Sequence, residues 1–303
     1  MSFKLTNALS EWLLDCTIRG FSPRTVKSYR NNMERLINWV AENHDITDVD
    51  DLTAPAIKSF LLAMQETGVK GTYINSLIKT YRAFFVYLDS EYDIHNPMAR
   101  IRWSKEITPI ITTFSDEEVK NLIAYYNKRD FLSVRNKTII TLLFGSGLRC
   151  AELCSLTPDN IHDTFIRLVG KGKKERIIPI DAVMAKQLIK YQNAKIKYFS
   201  DKKLHTDMLF VSRTGRQLTN SGVENMLSLT GEAVGVRDDI RCSPHTCRHW
   251  FAQAQIRNGC DIYTLSKLLG HSNIKITQTY LQSMMDDDII TNGLRTAPLL
   301  HLL

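Results

Sequence analysis

Apolar residues recur every three or four positions along most of this chain, a pattern that predicts a mainly α protein with one small β-sheet. In residues 3–18, Leu5, Ala8, Trp12 and Leu13 share one helical stripe. Ser22 and Pro23 supply a cap and a first-turn proline for a long helix to about Ala41, with Tyr29, Met33, Leu36, Ile37 and Val40 on its apolar side. Thr53 caps a third helix, whose Ile57, Phe60, Leu61 and Met64 face inward until Gly68. A fourth follows Gly71 and runs through Ile74, Leu77, Ile78, Tyr81, Phe84, Phe85 and Leu88. Four such helices with short joints bury their stripes against one another as a bundle, with the three aromatics of the fourth in its core. Asn96-Pro97 ends the bundle, and Met98–Thr113 lacks a periodic face, which predicts an exposed linker. The expected division is a helical domain over 1–108, its linker starting near 98, and a second domain over 109–303.

The second domain opens at Ser115-Asp116-Glu117-Glu118, a cap followed by an acidic first turn. A helix near Arg135–Phe144 is punctuated by Gly145-Ser146-Gly147 and resumes over Glu152–Leu156, which places Arg149 at a helix start. From Phe165 to Ile180 the pattern becomes that of a hairpin, Phe165–Val169 and Glu175–Ile180 joined by the turn Gly170–Lys174. Ala182–Tyr198 reads as a basic amphipathic helix with Lys186, Lys190, Lys195 and Lys197 outward. Met208–Val211 reads as a short strand and Ser221–Val234 as another helix. The stretch Pro244–Leu281 holds three short helical patterns: one opened by Ser243-Pro244, one capped by Asp261 and ended by Gly270, and one starting at Ser272-Asn273 and carrying Tyr280.

Charge placement narrows the partner. Of the net +7, none comes from residues 1–108, where thirteen Lys/Arg meet thirteen Asp/Glu; after that, twenty-six meet nineteen. A basic second domain fits a polyanion, nucleic acid ahead of membrane. Within the neutral first domain, Arg19, Arg24, Lys27, Arg30 and Arg35 cluster on one stretch. No apolar run approaches a membrane span and MSFKLTNALSEW lacks a secretory core, so a cytoplasmic, nucleoid-associated location is expected. The six cysteines form no framework spacing and read as reduced thiols.

Candidate chemistry gathers where basic side chains meet helix starts and turns. His245, Arg248 and His249 lie at i, i+3 and i+4, a cationic face suited to a phosphodiester. Arg149 at its helix start can hold an anion together with backbone N–H groups, or simply pair with Glu152. The lysines of the Gly170–Lys174 turn can reach a phosphate, or merely solvate the turn. Cys242, His245, Cys247 and His249 are close enough in sequence to suggest a metal site, although arginine beside such a cluster is poorly explained.

Four separated segments carry a resemblance: GLRCAEL at 147–153, GKGKKERIIPI at 170–180, HTCRHWFA at 245–252 and LLGHSNIKITQTYL at 268–281. In content, order and spacing they resemble the catalytic domain of the tyrosine recombinases, the phage-integrase and Xer-like group. The helical domain ahead of them is similar to that family's core-binding domain. The resemblance implies a four-helix, SAM-like core-binding domain followed by an α+β catalytic domain, and a site-specific recombinase that needs neither metal nor ATP. It implies Tyr280 as nucleophile, forming a 3′-phosphotyrosyl link, with Arg149 and Arg248 clamping the phosphate and Lys171 protonating the departing 5′-oxygen. His245 becomes an acid/base near the tyrosine, His271 a hydrogen-bond partner of the phosphate, and His249 a support of the site. The chemistry of the residues agrees: a phenol needs cations and a positioned base, and two guanidiniums supply fixed donors for the phosphorane charge. Arg24, Lys27, Arg30, Lys173, Lys174 and Arg176 are the expected DNA contacts. The expected partners are double-stranded DNA with inverted-repeat core sites, further copies of the chain in a tetrameric synapse, and accessory DNA-binding proteins. Cys247 and Trp250 depart from the commoner family residues and are expected, like Tyr263, to pack. The apolar segment after Tyr280 is expected to dock either in cis or on a neighbouring protomer. A type IB topoisomerase shares the chemistry, and a non-catalytic DNA-binding relative would share the cleft.

Overall fold

The computed structural model describes residues 3–105, 111–169, 175–271 and 273–283. It divides into two compact units, Met1–Pro109 and Ile110–Leu303. In the first, α1 (Leu5–Ile18), α2 (Pro23–His44), α3 (Ala54–Glu66) and α4 (Gly71–Tyr92) bury the expected stripes against one another. The Ser22 side chain accepts from Thr25 N–H, capping α2 as its sequence predicts. α2 runs past Ala41 to His44 and stops where Asp45 turns left-handed. Tyr81, Phe84 and Phe85 are fully buried core residues. Buried polar links join α2 and α4: Asn32 donates to Thr80 Oγ1 at 2.9 Å, and Tyr81 Oη donates to Asn32 O at 3.2 Å.

Residues 98–105 are not wholly the exposed linker that their lack of periodicity suggested. Met98 and Ile101 are buried in the first unit's core. Asn75 on α4 exchanges hydrogen bonds with the backbone of Ser104 at 2.9 and 2.8 Å. Arg82 donates to Ile101 O and lies over the Trp103 ring at 4.3 Å. The segment through 105 is thus fastened to α4.

The second unit begins its helices with α5 (Asp116–Tyr125), whose Ser115–Glu118 capping box forms as expected. The long, mostly buried α6 (Phe131–Ser146) is its central element and packs against α8 (Ala182–Tyr198). Between them lie the short α7 (Cys150–Cys154) and the antiparallel pair β1 (Phe165–Val169) and β2 (Glu175–Pro179), in register Arg167 to Ile177. The hairpin turn with Lys171, Lys173 and Lys174 falls outside the described residues. After α9 (Asn220–Val234) come α10 (Pro244–Arg257), α11 (Ile262–Leu269), α12 (Ile274–Gln278) and a 3-10 turn, Thr279–Ser283. Ser243, Asp261 and Asn273 cap the three helices through their side chains.

Three expectations are corrected in this unit. Met208–Val211 joins no sheet; only an isolated bridge links Val211 to Gln217. Its carbonyls are satisfied by α8 side chains instead, Tyr191 Oη donating to Leu209 O and Lys195 Nζ to Met208 O and Leu209 O. Lys195 therefore points at buried backbone rather than outward. Tyr263 does not pack: it is exposed, with Lys267 Nζ 4.9 Å from its ring centre. Cys247 and Trp250 behave as expected, Cys247 buried in the core and Trp250 donating from its indole to Asp116.

Candidate active site

Arg248 sits at the centre of the site because α10 turns it inward, leaving it only 3% exposed. Its guanidinium donates to Gly147 O at 2.7 Å and to Leu269 O at 2.6 Å. These carbonyls lie at the C-terminal ends of α6 and α11, where helix dipoles favour a cation. Burial first, then the nearby charges of Arg149 and Arg176, bring the Arg248 pKa down to about 10, still well above neutrality. Gly147 adopts φ +60°, and a Cβ there would run into the Phe251 ring, so glycine alone lets α6 end against α10.

Arg149 occupies the N-cap of α7 and is exposed. Its Nη1 donates to Glu152 Oε1 at 2.9 Å and its backbone N–H to Oε2 at 2.8 Å. The same carboxylate takes both ends of Arg176, each at 2.7 Å. Burial alone would raise the Glu152 pKa, but the donors of Arg176 and Arg149 outweigh it and hold the carboxyl below its ordinary value. Arg176, expected to contact DNA, is thereby committed to an internal pair. Its Nε is buried with no hydrogen-bond partner among the described residues.

His271 follows Gly270, which ends α11 at φ +65°. Its Nε2 lies 3.0 Å from Arg248 Nη2, and since arginine only donates, Nε2 is the acceptor. The proton then sits on Nδ1, which is 2.8 Å from Thr277 Oγ1. Burial, with Arg248, Arg149 and Arg176 nearby, holds His271 near pKa 4, in keeping with a neutral ring.

Tyr280, in the 3-10 turn after α12, is buried with Phe251, Ala252, Ile256, Leu265 and Leu269. Its hydroxyl is 3.0 Å from His249 Nδ1, and the His249 ring lies against His245 at 4.1 Å between centroids. Burial raises the tyrosine pKa, partly offset by Arg248 and Arg149. Burial also lowers His249 to about 4, aided by His245 and Arg248, and lowers His245. Arg149, His245, Arg248, His271 and Tyr280 are therefore brought to one place from three separated segments, whereas Lys171 lies outside the described residues. The sequence reading missed the roles of Glu152 and Thr277 and the bond from Tyr280 to His249. The Arg149–Glu152 spacing was visible as a pair; Thr277 carried no signal.

A metal reading finds no support in this geometry. Cys247 is buried in the core cluster while His249 faces Tyr280, so the four proposed ligands do not converge. Among the described residues no three His, Cys, Asp or Glu side chains group as metal ligands. Arg24, Lys27 and Arg30 lie exposed along the first turns of α2. No helix among the described residues is long and apolar enough to cross a membrane.

Residues 112–286 match the model of the phage integrase family, and residues 11–92 match that of the phage integrase N-terminal SAM-like domain. The chain belongs to the phage integrase family, the tyrosine recombinase enzymes of DNA recombination. It is 33% identical over 266 residues to the tyrosine recombinase XerD of Halalkalibacterium halodurans, covering 86% of this chain and 88% of that protein. The XerD of Listeria monocytogenes is 30% identical over 265 residues, covering 86% and 89% respectively. Among solved structures, the Tn1549 transposon integrase in complex with transposon right end DNA shares the fold. It superposes with a TM-score of 0.73 at 18% identity, over 97% of this chain and all of that one.

Proposed function

We propose that this recombinase cleaves and rejoins DNA strands at a specific site through a 3′-phosphotyrosyl intermediate on Tyr280. The observation that carries the reading is the meeting, within one chain, of Tyr280 with Arg248, His271 and the His245–His249 pair, beside Arg149. Arg149 and Arg248 would bind the non-bridging oxygens of the scissile phosphate, a fixed pair of forked donors facing the charge that grows in the phosphorane. The Tyr280 oxygen bonds phosphorus while the bond to the 5′-oxygen breaks, and that oxygen takes its proton from Lys171. His245 exchanges the proton of the phenol. His271 reaches the phosphate by releasing Arg248 and taking up a proton at Nε2. Rejoining is the same step run from the free 5′-hydroxyl, so the bond energy stays in the phosphotyrosine.

The substrate in this reading is double-stranded DNA with inverted-repeat core sites, bound by several copies of the chain in a tetrameric synapse, with accessory DNA-binding proteins as further partners. Arg24, Lys27, Arg30, Lys173 and Lys174 contact the phosphate backbone. The test is a nicked suicide substrate that traps the covalent adduct. Wild-type protein is expected to trap it and Tyr280→Phe to bind the same DNA without trapping any. An adduct surviving that substitution refutes the assignment.

A further inference from the structure

The hydroxyl of Tyr280 is held by a histidine to which the expected chemistry gives no direct part. We infer that His249 is a positioning residue for Tyr280, its Nδ1 fixing the phenolic hydroxyl before DNA arrives. The inference rests on the reading of Tyr280 as the nucleophile. His249 Nδ1 and Tyr280 Oη are 3.0 Å apart, with ring centroids at 5.5 Å.

The surroundings of Tyr280 explain why such a contact matters. The tyrosine stands in a five-residue 3-10 turn that follows a five-residue helix, the slightest elements of the second unit's C-terminal region. Its ring is gripped by Phe251, Ala252, Ile256, Leu265 and Leu269, but apolar packing has no direction and cannot fix where the oxygen points. A hydrogen bond can. His249 is itself fixed: it lies on the capped fourteen-residue α10, one residue after Arg248, with His245 against its ring.

Protonation agrees with positioning rather than with proton removal. Burial keeps the phenol above its ordinary pKa, and burial with His245 and Arg248 keeps the imidazole at about 4. Both partners are neutral at pH 7. The phenol is the stronger donor and the imidazole nitrogen the stronger acceptor, so the bond runs from Oη–H to Nδ1. So weak a base holds the proton-bearing nucleophile without stripping it, and leaves the proton transfer to the site as assembled on DNA.

The test uses His249→Ala, which removes the acceptor, and His249→Asn, whose amide oxygen can stand near the Nδ1 position. The first readout needs no DNA: the fluorine resonance of full-length protein carrying 3-fluorotyrosine at position 280. It should shift in His249→Ala and stay near wild type in His249→Asn. The second is single-turnover cleavage of the nicked substrate at saturating DNA. His249→Ala should be slower by roughly 100-fold at unchanged DNA affinity, and His249→Asn should recover to within roughly tenfold of wild type. An unshifted resonance in His249→Ala, or wild-type cleavage by it, overturns the inference. So does an equal loss in both variants, which would mean that the ring's packing matters and its nitrogen does not. If the resonance behaves as expected but Tyr280→Phe still traps an adduct, the nucleophile reading has failed and His249 has no positioning role in cleavage.

Discussion

Replacing Glu152 with alanine is expected to destabilise the second unit by about 3 kcal/mol. The carboxylate receives four hydrogen bonds, two from Arg149 and two from Arg176. They are unequal. The Arg149 side chain is 46% exposed, so its ion pair is screened by solvent and contributes a few tenths of a kcal/mol. The Arg176 and Glu152 side chains are 13% and 23% exposed, and Arg176 commits both ends of its fork. Without Glu152 that guanidinium stays buried close to Arg248, with no anion to offset it. Breaking a buried pair from one side costs about 3–5 kcal/mol, and the partly wet Glu152 places this case at the low end. For a unit of this size each kcal/mol moves the melting point by about 2–4 °C, which gives a fall of about 6–12 °C. Scanning calorimetry of the intact chain measures it. Glu152→Gln should fall between, because its amide oxygen still accepts from Arg149 N–H while its NH2 faces an arginine donor. Removing both charges with Glu152→Ala and Arg176→Met should recover part of the loss. A fall under about 2 °C in Glu152→Ala, or simple additivity in the double variant, would refute the reasoning.

Two further predictions concern the joints and the histidines. Gly270 and Gly235 adopt similar left-handed conformations, φ +65° and +71°, but a Cβ at 270 would lie 2.7 Å from Arg176 Nη1 whereas at 235 it meets nothing within 4 Å. Alanine at either should cost about 1–2 kcal/mol of backbone strain, and only Gly270→Ala should add a further drop in melting point and a loss of cleavage by displacing the Arg176 fork. Equal melting points for the two variants would show that the close approach does not matter. His249 and His271 are both held near pKa 4 by burial and neighbouring cations, below the ordinary 6.5. A depressed histidine pKa means that the unfolded chain binds more protons below 6.5, so their contribution is fully present above about pH 6.5 and is lost as pH falls toward 4. Melting points measured across that window should fall, and His271→Asn should flatten part of the slope.

What the amino-acid pattern revealed depended on whether a feature was local. The four helices of the first unit were readable because each has an apolar stripe and a punctuated start, down to the Ser22 cap. Met98 and Ile101 were not, since two apolar residues three apart are too few to show a period, and what buries them is the core of the bundle, whose helices belong to other stretches. Met208–Val211 has the composition of a strand, yet Tyr191 and Lys195 of α8 take the hydrogen bonds a sheet would have made. Within the site, the identities of Arg149, His245, Arg248, His271 and Tyr280 could be named from their motifs. Their arrangement could not be: the partners of Arg248 are backbone carbonyls, which leave no mark on a sequence. The pairing of Arg176 with Glu152 was hidden for a related reason. Within a run of cations only the fold decides which one turns inward to a carboxylate.

Arg248 shows how closely the fold and the proposed chemistry are joined. A guanidinium 3% exposed keeps its charge and must find acceptors, and three of its five N–H groups go to Gly147 O, Leu269 O and His271. The two carbonyls lie at the C-terminal ends of α6 and α11, so the arginine neutralises two dipole ends and ties those helices together. α11 in turn leads through Gly270 and His271 to Tyr280. The side chain proposed to clamp the phosphate therefore also anchors the segment that delivers the nucleophile. An anion bound by Arg248, as proposed, would share it with those carbonyls and with His271, at the end of α11 from which the chain continues to Tyr280.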